Sequence, residues 1–75
     1  MKWLFIEEWN YGEIKNVYAY GKLTEDQYNK VVFMYEKRSE ADYLEVYGFD
    51  TKAEYEIKLS FRKKDPECQV INKAR

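Results

Sequence analysis

Apolar positions fall into two rhythms along this chain. Tyr28, Val31, Val32 and Tyr35 follow the i, i+3, i+4, i+7 spacing of one buried helical face. Tyr55, Ile57, Leu59 and Phe61 instead alternate with Glu54, Glu56, Lys58, Ser60 and Arg62. That period of two is the mark of a strand with one buried and one wet face.

The helix has a clear start. Thr24 and Gln27 stand in capping-box spacing, with Leu23 and Tyr28 placed as a hydrophobic staple. Glu25 and Asp26 in the first turn, and Lys37 and Arg38 near the end, suit the helix dipole. The pattern predicts a helix over 25–40. Phe33, about 140° around that helix from Tyr28, should point away from the core.

Tyr43 to Phe49 is rich in strand formers, and Asp50-Thr51-Lys52 supplies a turn into 54–62, so the two runs read as a hairpin. Residues 2–9 and 13–20 form a second pair of strand-like runs around Asn10-Tyr11-Gly12, a loop with glycine where a left-handed residue is wanted. Gly21 separates that pair from the helix. After the turn at Asp65-Pro66, residues 68–71 suit either a short extra strand or a segment laid across the body. The expected fold is α+β: a four-stranded antiparallel sheet of two hairpins with one helix packed on one face. Its order is ββαββ plus a short C-terminal tail, in a single domain over 1–75.

The distribution of rings between the two sheet faces raises the functional question. If the helix covers Leu4/Ile6, Val17/Ala19, Leu44/Val46 and Tyr55, Ile57, Leu59, Phe61, the opposite face receives Trp3, Phe5, Trp9, Tyr18, Tyr20, Tyr43, Tyr47 and Phe49. Glu45, Glu54 and Glu56, with Glu7, lie among them. One helix cannot cover both faces. Apolar patches above a few hundred Å² often mark interaction sites, and Tyr and Trp dominate binding hot spots. Three alternatives compete: the tail folds across this face through Val70 and Ile71, the face pairs with itself in a dimer, or a one-residue slip swaps the faces.

With aromatics at 19% and hydrophobic residues at 45% of 75 residues, the chain should fold. The net charge of −1 by itself suggests neither a nucleic-acid binder nor an acidic mimic. It is unevenly spread: twelve acids against eight bases through Phe61, then five bases against two acids. Aromatic rings on a sheet can stack unpaired bases, but such platforms sit in basic grooves, whereas these rings sit among glutamates.

There is no histidine and one cysteine, which removes zinc sites and Cys–His nucleophiles from a single chain. Cys68 reads as a small half-buried residue. Gly12, Gly21 and Gly48 are scattered singly, so no phosphate loop exists. The carboxylates Glu54 and Glu56, about 7 Å apart on a strand with Glu45 beside them, have a glycosidase-like separation. A chain this small with one helix has no cleft to desolvate one of them, so no enzyme activity and no cofactor or metal are expected. The four-residue apolar run at Trp3 is too short for a signal peptide or a membrane span, and one unpaired cysteine fits a reducing, cytoplasmic setting.

The expected function is a small non-catalytic protein-binding module using the aromatic and acidic surface. Composition resembles that of accessory proteins of phages and mobile elements, many of which block a host or defence protein. The alternatives are a nucleic-acid-associated accessory protein using the rings with the basic tail, and a homodimeric structural subunit.

Overall fold

The computed structural model describes residues 1–74. Strands β1 (Lys2–Asn10) and β2 (Glu13–Leu23) form the first hairpin, turning through Tyr11 and Gly12 with φ of 54° and 74°. Helix α1 (Glu25–Arg38) follows, then β3 (Tyr43–Phe49), helix α2 (Lys52–Lys63) and β4 (Gln69–Asn72). The α+β class holds, with the order ββαβαβ in place of ββαββ.

The sheet runs β3-β1-β2-β4. β1 is antiparallel to both β2 and β3, whereas β4 is parallel to β2, so the sheet is mixed rather than antiparallel. The parallel pairing follows from the second helix. A hairpin returns the chain antiparallel beside its predecessor, but α2 carries it across the sheet to the far edge, as a parallel strand requires. The segment 68–71 thus contributes the edge strand β4, with Val70 opposite Val17, instead of lying across a face.

α1 begins as its sequence predicts. Gln27 N–H donates to Thr24 Oγ1 at 3.2 Å and Thr24 N–H to Gln27 Oε1 at 2.9 Å, closing the capping box. Tyr28, Val31, Val32 and Tyr35 are its half-buried residues, and Phe33 is exposed. The Tyr28 ring lies so close to β3 that a Cβ on Gly48 would stand 2.7 Å from its hydroxyl, which explains the glycine there.

Residues 54–62, expected as a strand, belong to α2. Its start is also capped: Glu54 N–H donates to Thr51 Oγ1 at 3.2 Å, and the Thr51 hydroxyl to Glu54 Oε1 at 2.8 Å. The side facing the sheet carries Tyr55, Lys58, Leu59 and Arg62, again at i, i+3, i+4, i+7. Ile57 and Phe61, expected in the core, are 71% and 69% exposed.

Two helices therefore cover two faces. Between α2 and the sheet lies the cluster of Phe5, Ile14, Val17, Ala19 and the α2 residue Tyr55, with Trp3, Trp9, Tyr47, Phe49, Leu59, Cys68 and Val70 packed around it. Leu4 and Ile6 are fully buried on the α1 side. Val17 and Ala19, expected beside Leu4 and Ile6, instead pair with Glu7 and Phe5. A register shift between Leu4 and Phe5, where Gly21 and Ala19 are the successive partners, leaves Tyr20 as an extra residue.

A polar cluster ties the end of α1 to the sheet. Glu8 accepts hydrogen bonds from Ser39 Oγ at 2.5 Å, Tyr18 OH at 2.7 Å and Asn16 Nδ2 at 3.1 Å. Burial opposes the charged form, but the three donors outweigh it and hold the Glu8 carboxyl below the usual 4.5. Below that value the unfolded chain takes up the proton first, so the stabilisation present above about pH 4.5 is lost as pH falls through the lower folded value. Urea unfolding followed from pH 7 to pH 3 should show Glu8→Gln with a shallower acid decline than the parent chain. Parallel declines would rule out Glu8 as a contributor.

Candidate aromatic and acidic groove

Pairing between β1 and β3 sets Trp9 opposite Tyr43, Glu7 opposite Glu45, Phe5 opposite Tyr47 and Trp3 opposite Phe49. Side chains of directly paired residues share a face, so this is one row of rings interrupted by two carboxylates. Two like charges directly opposed destabilise a sheet. The sequence resolves the conflict with α2. Arg62 reaches Glu7 with Nε 2.6 Å from Oε2 and Nη2 3.3 Å from Oε1, and Lys58 Nζ lies 3.7 Å from Oε2. Trp9 Nε1 donates to Oε1 at 3.2 Å. Glu7 is thus fully buried with three hydrogen bonds and a second cation at ion-pair distance, and no buried side-chain polar atom among the described residues lacks a partner.

α2 shields one end of the row. Tyr55 packs against Trp3 at 5.4 Å and Phe5 at 6.4 Å between ring centroids. Lys58 Nζ sits 4.6 Å from the Tyr47 ring and the Arg62 guanidinium 5.6 Å from Trp9. The other end stays open as a groove of about 510 Å³, lined by Glu7, Trp9, Tyr11, Gly12, Asp42, Tyr43, Glu45 and Tyr47. Tyr43 is 57% exposed and its hydroxyl donates to Glu45.

The hairpin turn forms the rim. Tyr11 N–H donates to Asp42 Oδ2 at 3.0 Å, and Asp42 N–H to Asn10 Oδ1 at 2.9 Å, which ties the turn to the entry of β3. Tyr11 has φ 54° and is 93% exposed. A ring-bearing residue in the left-handed region costs roughly 1–2 kcal/mol that Gly or Asn would largely avoid. Asp42 and Glu45 make no ion pair among the described residues.

The face expected to be open therefore divides. Trp9, Tyr43, Glu45 and Tyr47 come together in the groove. Phe5 is fully buried, and Trp3 and Phe49 pack against the core under α2, so these three support the row rather than meet solvent as expected. Tyr18 and Tyr20 lie on the opposite face against Tyr35, at 4.9 and 5.9 Å, with Tyr20 OH 2.8 Å from Tyr35 OH. Burial and the bond to Glu8 push the Tyr18 hydroxyl up to about 12.

Glu54 and Glu56 are not in the groove, and their expected strand spacing does not exist. Glu54 serves the Thr51 cap, and Glu56 pairs with Lys52 at 3.6 Å along α2. The basic tail is also reduced, because Arg62 is spent on Glu7. Sequence reasoning missed Tyr11 and Asp42 as groove residues, while Glu7, expected among the rings of this face, lies there buried. Tyr11 beside Gly12 is the one with a signal: a large ring where turn chemistry favours Asn or Asp.

No helix among the described residues is long and apolar enough to cross a membrane. No protein-family model matches the chain, and no curated protein or solved structure shows a significant match to it.

Proposed function

We propose that this chain is a non-catalytic protein-binding module that seats a segment of its partner in the groove of Trp9, Tyr11, Tyr43, Glu45 and Tyr47. The observation that carries this reading is Tyr11, held exposed in an unfavourable backbone conformation at the rim of an aromatic groove. The turn itself requires the conformation, but an exposed tyrosine ring there adds nothing to folding that asparagine would not, and such outliers gather at functional sites. Tyr and Trp around a concavity are also the side chains that supply binding hot spots.

A nucleic-acid backbone suits the groove poorly, since Asp42 and Glu45 would repel phosphates and Lys63 and Lys64, at the C-terminal end of α2, lie outside it. Occupying a partner's working surface needs no catalytic group, which is the form in which such a module inhibits a host or defence protein.

The test is affinity capture from lysate of the organism that encodes the chain, comparing the parent with Tyr11→Asn, Tyr43→Ala and Phe33→Ala. Tyr11→Asn should melt no lower than the parent, because asparagine accepts the turn conformation, yet lose captured protein at least tenfold. Phe33→Ala, on α1, should capture normally. Full capture by both groove variants with loss in Phe33→Ala would place the function on α1.

A further inference from the structure

The groove has an uncovered strand edge along one side. β3 has a single neighbour, β1, and nothing among the described residues pairs with its outer edge. Exposed edges are usually blunted by shortness, lysine, proline or a bulge. The other edge strand, β4, is short, with four residues followed by Lys73. β3 runs for seven residues, Tyr-Leu-Glu-Val-Tyr-Gly-Phe, with no lysine or proline and an unbroken register against β1. Its single charge, Glu45, points into the groove.

We propose that β3 accepts an extended peptide segment as an added strand, and that this segment places a lysine or arginine in the groove against Glu45 and Asp42. This rests on the groove reading and names the chemistry of its occupant. Alternate residues of an edge strand offer both N–H and C=O outward, so an incoming strand gains a hydrogen-bond ladder without any change in β3. It would lie about 4.8 Å from β3, with alternate side chains continuing the row of Tyr43, Glu45 and Tyr47. A cation there meets two carboxylates that lack an ion-pair partner among the described residues, in a groove lined by Tyr11 and Tyr43. The molecule already uses this chemistry on the same row, where Lys58 lies over Tyr47 and Arg62 over Trp9. An acidic side chain would instead face Glu45 and Asp42 without compensation.

The experiment is selection from a displayed library of random ten-residue peptides against the immobilised full chain, followed by titration of a synthetic consensus peptide into the chain in solution. Enriched peptides should carry one lysine or arginine flanked at alternate positions by β-branched or aromatic residues. Glu45→Gln should weaken the consensus peptide about tenfold. N-methylation of alternate peptide nitrogens on the edge facing β3 should weaken it at least as much, and methylation on the other edge should not. The proposal is overturned by four outcomes: no enrichment, acidic or helix-patterned winners, indifference to N-methylation, or a stable dimer of the chain that occupies β3. Winners of the wrong chemistry that still require Tyr11 would leave the groove as a binding site while removing the strand and its cation.

Discussion

Exchanging Arg62 for methionine is expected to remove about 3–5 kcal/mol of stability, most of what a domain this small possesses. The reason is the position of its partner. Glu7 is fully buried between Val17 and Glu45, and Arg62 supplies the two closest contacts from any cation, at 2.6 and 3.3 Å. Removing the guanidinium leaves a desolvated carboxylate with Trp9 Nε1 at 3.2 Å and Lys58 at 3.7 Å. Lys58 keeps a side chain 25% exposed and can follow the charge only in part, so the lower end of the range is expected. The pair Glu7→Leu with Arg62→Met removes both charges and should recover much of the loss, since apolar replacements of a buried pair are often neutral. Urea unfolding of the parent, the single and the double variant reads both effects. A single variant within about 0.5 kcal/mol of the parent would show that Arg62 does not hold Glu7 in solution.

The same pair explains what the sequence concealed. Helix α1 was legible because its inward positions are all apolar and its cap precedes them. In α2 the inward stripe is Tyr55, Lys58, Leu59 and Arg62, two of which are cations recruited by a buried carboxylate on another strand. Meanwhile Ile57 and Phe61 sit on the solvent side, so apolar residues fall at every second position by coincidence. Local pattern alone favours the strand. One local signal opposed it: Thr51 and Glu54 stand in the same spacing as Thr24 and Gln27, and both pairs cap helices.

Missing α2 determined the rest. With one helix, the row from Trp3 to Trp9 has no cover and appears as an open face; with two, half of it becomes core. β1, β3 and the first hairpin were legible from β-propensity and the turn at Tyr11-Gly12. Tyr18 and Tyr20 fall on the far face because pairing and bulge position are set by contacts between strands, which no single strand encodes. The groove residues Trp9, Tyr43, Glu45 and Tyr47 were legible because strand alternation fixes their common face. Tyr11 and Asp42 reach it through loop hydrogen bonds between segments about thirty residues apart in sequence.

Paired aspartate substitutions separate the two readings of residues 54–62 in solution. Leu59→Asp places a charge against the cluster of Phe5, Val17 and Ala19 beneath α2, and is expected to cost several kcal/mol, enough to leave the chain largely unfolded. Ile57→Asp lies two residues away, about 200° around the helix, on a side chain 71% exposed. It forfeits little burial and some helix propensity, so a loss of roughly 0.5–1 kcal/mol is expected. A strand would put both residues on one buried face and make the two variants equally damaging. Helix geometry requires them to differ widely, with Phe61→Asp, at 69% exposure, behaving like Ile57→Asp. Circular dichroism melts of the three variants decide the matter. Three similar losses would return these residues to a strand and leave the row of rings without its cover, whereas one severe loss and two mild ones fix Leu59 inward and α2 over the core, with the groove open beyond it.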